Sequence, residues 1–214
     1  MRRRLAIIGG GEHAAVVADA VRTHAEAWEL VGFADPSPDP ALAERLGLER
    51  LGDDTALLDR GAGDGAEDLI LGFGAPAGAR RTAVERFGRD ARWPTIVHAA
   101  AWVSASAELG VGTVILAGAT VNAKAKVGDH VIVNTGAIVE HDVRLGDFAH
   151  VAPGAVIGGG ATIGEDAFIG LGALVRDHVA VGSGATVGMG AVVVDDVAPD
   201  TTVVGSPARP LTEP

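Results

Sequence analysis

From Val97 to Val193 an aliphatic residue stands at every sixth position. The sites are Val97, Val103, Leu109, Ile115, Val121, Val127, Val133, Val139, Leu145, Val151, Ile157, Ile163, Ile169, Val175, Val181, Val187 and Val193, seventeen in succession with no insertion. Four residues after each comes a small or β-branched residue, among them Ala101, Thr113, Ala125, Val131, Ala149, Ala161, Val179 and Val197. Two inward positions per six residues do not suit a helix, whose apolar stripe returns about every 3.6 residues. They suit short strands that turn a corner in each hexad. Each hexad then forms one wall of a prism, and the stacked coils enclose a narrow aliphatic core in which a layer touches only its neighbours. Glycine serves the corners that need positive φ.

Residues 1–95 lack this period. Leu5-Ala6-Ile7-Ile8 reads as a short buried strand, Gly9-Gly10-Gly11 as a turn, and Glu12 onward as a helix with Val16, Val17, Ala20 and Val21 on one side. A second strand runs from Leu30 to Ala34 and reaches Asp35 ahead of the turn Pro36-Ser37-Pro38-Asp39-Pro40. Leu69-Ile70-Leu71 leads into Gly72-Phe73-Gly74 and a helix carrying Arg80 and Arg81. The alternation predicts a small α/β domain of Rossmann-like layout, with phosphate groups expected where strands stop and helices begin. Gly9-x-Gly11-x-x-Ala14 matches the dinucleotide fingerprint, with Asp35 at the spacing of a ribose ligand; glycines packing a tight strand-to-helix turn give the same pattern. Two domains are expected, 1–95 and 96–214.

Composition narrows the chemistry. The 214 residues carry 17 Lys and Arg against 28 Asp and Glu, a net charge of −11 that argues against a surface for nucleic acid or anionic membranes. Aromatics are only 4%, as a thin Val/Ala core requires. With no Cys, disulfides, thiolate nucleophiles and Cys-ligated metals are all excluded. Met1-Arg2-Arg3-Arg4 has the charge of a signal peptide, but the apolar run behind it is too short, and no stretch is long enough to span a bilayer. A cytoplasmic protein without membrane insertion is expected.

The hexads, such as Val127-Gly128-Asp129-His130-Val131-Ile132 and Ile163-Gly164-Glu165-Asp166-Ala167-Phe168, resemble those of the hexapeptide-repeat acyltransferases. The resemblance implies a left-handed parallel β-helix with three hexads per coil, assembled as a homotrimer. The tail Val203-Val204-Gly205-Ser206-Pro207-Ala208-Arg209 is similar to that family's ending near its coenzyme A site. A Gly-rich loop ending in His, fused to such a prism that carries Val121-Asn122-Ala123-Lys124-Ala125-Lys126, Asn134-Thr135 and Val139-Glu140-His141-Asp142, resembles more closely the sialic-acid O-acetyltransferase and nucleotide-amino-sugar N-acetyltransferase family. This implies an acetyl-CoA-dependent N-acetyltransferase, without a metal, acting on a UDP- or GDP-linked 4-amino-4,6-dideoxy sugar. In one respect the chain departs from the pattern: the family commonly has Gly before the loop His, and this chain has Glu12.

Acyl transfer to an amine needs a base for its proton and donors for the developing oxyanion. Without Cys, direct attack of the amine on the thioester is favoured over an acyl-enzyme. His141 occupies a free position of its hexad, and the resemblance makes it the general base. Asp142, preferred by resemblance, or Glu140 orients its ring; spacing alone leaves both open, because strand neighbours point to opposite faces. The resemblance further places His150, Gly159, Leu171 and Met189 at coenzyme A, and Gly11, Glu12, His13, Asp35 and Asn134 at the nucleotide sugar. The alternatives are a structural corner histidine for His150, one of three corner glycines for Gly159, and part of an interior amide ladder for Asn134. His130 and His178 are expected at the surface.

Other readings remain. Transfer to a hydroxyl of a sugar or sialic acid is the nearest. A zinc enzyme resembling the gamma-class carbonic anhydrases would use His141 and His150 as ligands, although the His-x4-His spacing of that family is absent. A non-enzymatic nucleotide-binding scaffold would use the prism only to trimerise, leaving Glu140-His141-Asp142 without a task. A nicotinamide-binding front domain would follow the fingerprint, but residues 1–95 are few for a full dinucleotide fold.

Overall fold

A computed structural model describes residues 2–37, 41, 44, 47–53, 56–57, 66–74, 77–88 and 90–211. The chain divides into two compact units, residues 1–99 and 100–214. Of the expected Pro-rich turn, Pro38, Asp39 and Pro40 lie outside the described residues.

In the first unit four parallel strands, β1 (Arg3–Ile8), β2 (Trp28–Ala34), β3 (Arg50–Gly52) and β4 (Asp68–Leu71), form a sheet in the order β3-β2-β1-β4. Leu5, Ala6, Ile7 and Ile8 are all buried, which explains their unbroken apolar run: a central parallel strand is covered on both faces. Strand β2 begins two residues before the expected Leu30. The three-residue β3 was not foreseen, because Arg50-Leu51-Gly52 is too short to carry a period.

Helix α1 (Glu12–Arg22) buries Ala14, Val17, Ala18, Ala20 and Val21. Val16, expected on that side, is 38% exposed. The stripe that meets the sheet runs through 14, 17, 18 and 21, the spacing of one helical face, and 16 falls outside it. Helix α2 (Ala77–Phe87) follows β4.

The strand order reverses between β1 and β4, so the loops leaving their C-terminal ends diverge and open a crevice there. The N-terminal ends are tied by the fully buried Asp68. Its carboxylate accepts from Trp28 Nε1 at 3.1 Å and pairs with Arg3 and with Arg92. One charge thus binds the starts of β1, β2 and β4.

The second unit is the parallel β-helix that the repeat predicts. Every strand from Trp102–Val103 to Val192–Val193 is two residues long, and its second residue is the aliphatic site of the hexad. Strands pair in parallel with a shift of eighteen residues, as in Lys126↔Arg144, Ile132↔His150 and Ile138↔Val156. Three hexads therefore make one coil, and residues eighteen apart stack in columns. The inward fourth positions are buried from Thr113 onward, for example Ala137, Val143, Ala155 and Ala185 at 0% exposure. Past the last hexad, Thr202–Val204 extends one sheet in parallel, and Arg209–Pro210 folds back antiparallel on it.

Corners divide the columns by conformation. On the edge that follows the strands from Val114–Ile115 to Thr186–Val187, the positive-φ position is glycine in every coil: Gly118, Gly136, Gly154, Gly172 and Gly190. The other two edges place Lys124, His130, Asp142, Phe148, Asp166 and His178 in the same left-handed region. His130 is not at the surface as expected. It is 6% exposed and stacked on Phe148, with ring centroids 5.0 Å apart and planes at 16°. The two rings are eighteen residues apart, one above the other. His178 is exposed.

Candidate active site

His141 and Asp142 form the corner after the strand Ile138–Val139. Asp142 takes φ +59°, and this turn brings its side chain round to the same side as His141, which extended neighbours cannot do. Asp142 Oδ2 lies 2.9 Å from His141 Nδ1. Hydrogen bonding from His141, and then the charges of Lys124, His141 and His178, hold the Asp142 carboxyl below its usual range. An ionised carboxylate only accepts, so Nδ1–H donates and the lone pair of His141 sits on Nε2. Glu140 is turned elsewhere: its Oε2 accepts the His141 backbone N–H at 3.2 Å. The carboxylate on the ring is Asp142.

Gly159 stacks over His141 in the next coil. A Cβ built there would come within 2.7 Å of His141 Cε1 and Nε2, so the bare backbone is what lets the ring lie flat against that coil. Gly160 N–H donates to the His141 carbonyl at 2.9 Å and fixes the corner. His141 and Asp142 are both more than half exposed and open to a ligand.

His150 and Asn134 form a buried pair, each 8% exposed. Asn134 Oδ1 accepts Thr135 N–H at 2.8 Å, which turns Nδ2 toward His150 Nε2 at 3.2 Å. Asn134 therefore donates, and His150 is neutral with its proton on Nδ1. Its ring meets the edge of Phe168, centroids 5.1 Å apart at 90°. Leu171 and Met189 stack eighteen residues apart at an all-glycine corner column and are 52% and 78% exposed. Leu174, three residues after Leu171, is 45% exposed.

In the first unit, a cavity of about 490 Å³ lies at the C-terminal ends of the strands, lined by Gly9, Gly11, Asp35, Pro36, Phe73 and, from α2, Thr82, Ala83 and Arg86. The two readings of the glycines divide here. A Cβ on Gly9 would strike Phe73, and one on Gly10 would strike Phe33, whereas Gly11 faces open space. Gly9 and Gly10 are packing glycines, and Gly11 presents bare backbone at the start of α1, where helix N–H groups favour an anion. Asp35 accepts Gly10 N–H at 2.7 Å and Ser37 N–H at 2.8 Å, pinning the loop while lining the cavity. Glu12 is exposed on the first turn of α1. Burial and the charge of Arg80 push the His13 imidazole down to about 4, so it is neutral at physiological pH. Arg80 is itself 1% exposed.

Sequence reasoning did not single out Ser106, Arg144, Phe73, Thr82 or Arg86, and it quoted Lys124 and Lys126 only as part of a motif. Adding or subtracting eighteen from His141 and Asp142 reaches 123, 124, 159 and 160, and a second coil reaches 178, a signal that was present once three hexads per coil were accepted. Among the described residues no cluster of three His, Asp or Glu side chains is placed to hold a metal ion, and no helix is long and apolar enough to cross a membrane.

A prism of hexads bearing a His–carboxylate pair at an open corner, joined to a nucleotide-type α/β unit, defines a hexapeptide acyltransferase. Two family models match, the bacterial transferase hexapeptide (six repeats) at residues 124–159 and the PglD N-terminal domain at residues 4–87. The chain belongs to the hexapeptide-repeat acyltransferases, in the family of sialic-acid O-acetyltransferases and nucleotide-amino-sugar N-acetyltransferases. It is similar to perosamine N-acetyltransferase from Caulobacter crescentus, whose histidine-to-asparagine variant was solved with CoA and GDP-perosamine (35% identity, 98% of this chain and 97% of that one, TM-score 0.88). The acetyltransferase domain of PglB from Neisseria gonorrhoeae FA1090, in complex with acetyl coenzyme A, is 37% identical over 99% of this chain and all of that one, with a TM-score of 0.89. WeeI from Acinetobacter baumannii AYE is 25% identical over 98% of this chain, with a TM-score of 0.82. No curated protein sequence matches the chain.

Proposed function

We propose that the protein transfers the acetyl group of acetyl-CoA to the amine of a nucleotide-linked amino sugar, a UDP- or GDP-4-amino-4,6-dideoxy sugar. The observation that carries this reading is the His141–Asp142 pair, exposed at a corner whose next coil is the bare Gly159. The whole-chain likeness to an enzyme solved with CoA and GDP-perosamine supports the substrates. A histidine is the residue replaced in two of those complexes, which supports a histidine base.

His141 Nε2 takes the proton of the amine as its nitrogen attacks the thioester carbonyl. The C–N bond forms, the tetrahedral intermediate collapses with cleavage of C–S, and the proton held by His141 passes to the departing thiolate. Asp142 keeps Nδ1–H oriented and stabilises the imidazolium between the two transfers. His150, buried and neutral, and the backbone of Gly159 serve the thioester end; Leu171 and Met189 offer apolar surface to the pantetheine arm. Asn134 fixes His150 rather than touching the sugar. In the first unit, Gly11 and the start of α1 take the nucleotide's phosphates, with Asp35 and Phe73 at its nucleoside. Glu12 points to solvent and leaves that anion unopposed. The exposed apolar side chains of Leu171, Leu174 and Met189 fit assembly as a homotrimer.

The test is coenzyme A release, read with a thiol reagent, from acetyl-CoA and a panel of UDP-, GDP- and dTDP-linked 4-amino-4,6-dideoxy sugars. The protein contributes no thiol background, having no Cys. Turnover of one sugar that is lost in His141→Ala is the expected result. Turnover only of hydroxyl acceptors would replace it with O-acetylation, and no turnover at all would overturn the reading.

A further inference from the structure

The coil above His141 is bare at two successive positions. A Cβ on Gly159 would come within 2.7 Å of the His141 ring, and one on Gly160 would come within 2.6 Å of Nδ1 of His178. The two glycines thus form a shelf that two imidazoles share, His141 from the coil below and His178 from the coil above. The corners that carry the rings are two coils apart, ~9.6 Å, and each ring reaches to the coil between. Hydrogen bonding from His141, the charges of Lys124 and His141, and then the charge of His178 hold the Asp142 carboxyl below its usual range, so His178 stands within electrostatic reach of the dyad.

Gly112 and His130 repeat this stacking on another edge, and there packing explains it: Phe148 closes over the ring and leaves His130 6% exposed. His178 has the same bare glycine beneath it but stays exposed. Its place along the prism gives it a task. From His141 toward the C-terminus come Gly159, given to the thioester, and then Leu171, His178 and Met189, of which Leu171 and Met189 are given to the pantetheine arm. The sulfur joins the acetyl carbon to that arm, so it lies on the side of the shelf that faces His178.

We infer that His178 is a further catalytic residue, donating a ring N–H hydrogen bond to the sulfur of acetyl-CoA as it departs. The inference rests on the reading of the protein as an acetyl-CoA-dependent transferase. No proton changes hands at His178. The C–N bond forms, C–S breaks, and His141 still carries the proton of the amine to the thiolate; His178 stabilises the negative charge that builds on sulfur before that proton arrives. A fixed donor aimed at developing charge lowers the barrier, and hydrogen bonds to charged acceptors are the strong ones. Because the bond strengthens with the charge, His178 acts on the transition state more than on bound acetyl-CoA.

The variant to make is His178→Gly, because glycine freely takes the φ of +58° found there and leaves the corner in place. Its kcat should fall about tenfold, the scale of one lost charge-assisted hydrogen bond, with the KM for both substrates unchanged. A raised acetyl-CoA KM at unchanged kcat would make His178 a docking residue and overturn the assignment, as would full activity. A second measurement needs no acceptor, so it stands even if every sugar of the panel fails. The chain has neither Cys nor Tyr, so the ultraviolet absorbance of a thiolate reports coenzyme A alone. Bound to wild type, the thiol of coenzyme A should be about tenfold more acidic than the free thiol, through a hydrogen bond that favours its charged form; in His178→Gly it should return toward the free value. Equal titration in the two proteins, or no shift in wild type, would sink the proposal.

Discussion

Asp142 reaches back to its own chain neighbour, its Oδ2 2.9 Å from Nδ1 of His141. A left-handed residue at the corner makes this possible, and the interaction sets both the tautomer and the direction of the ring. His141→Ala should lower kcat/KM by about 10³-fold, the scale of a lost general base. Asp142→Asn, which removes the charge but keeps the shape, should cost on the order of 10²-fold. If the two act as a unit, the double variant is no slower than His141→Ala alone. Steady-state rates on the three variants check this, and additive losses would refute the dyad.

Gly159→Ala tests the stacking of the ring on the next coil. The new methyl would lie within 2.7 Å of His141 Cε1 and Nε2, so the exposed ring must shift from its place beside Asp142. Activity should fall at least about tenfold with little change in melting temperature. A variant that melts early but retains its rate per folded molecule would show that Gly159 serves only the corner.

His13 predicts an acid-sensitive first unit. Its imidazole titrates near 4 in the native protein and near ~6.5 when unfolded. Between those values the unfolded chain binds more protons, so stability falls as pH drops through that window, by at most about 3 kcal/mol, and is fully present above it. Urea unfolding at pH 7.5 and 4.5 should show a smaller acid loss in His13→Asn than in wild type. Equal losses would remove His13 as the cause.

Asp68→Ala should be among the most damaging substitutions in the first unit. It strands Trp28 Nε1 and frees Arg3 and Arg92 from a charge that is fully buried. The expected cost is about 3 kcal/mol, the usual penalty for breaking a buried ion pair from one side, read as a lower urea midpoint. Arg92→Ala, at a half-exposed partner, should cost markedly less.

Much of the architecture was legible in the hydrophobic pattern. Seventeen aliphatic sites at one spacing admit only short strands and regular corners, and each became the second residue of a strand. The strand cores Leu5–Ile8, Phe33–Ala34 and Leu69–Leu71 were equally plain, because a parallel strand buried on both faces has no polar face to interrupt it. Val16 was misplaced because helical phase matters more than hydrophobicity; β3 escaped notice because three residues define no period. His130 was assigned to the surface because its position in the hexad faces outward, and the stacked Phe148 on one side and the bare Gly112 on the other cover it.

The sequence by itself determined the coil, since burying a Val or Ile in each wall rewards a single register. It also supplied His141, with two carboxylates beside it. Tertiary structure decided which carboxylate turns to the ring, because the sign of φ at a corner leaves no trace in the hydrophobic pattern. It decided as well that Gly9 and Gly10 pack while Gly11 stays open, that Asn134 holds His150, and that Lys124, Lys126 and Arg144 share one cavity. These are contacts between residues brought together by closing a coil of eighteen or a sheet, and chain order alone does not place them side by side.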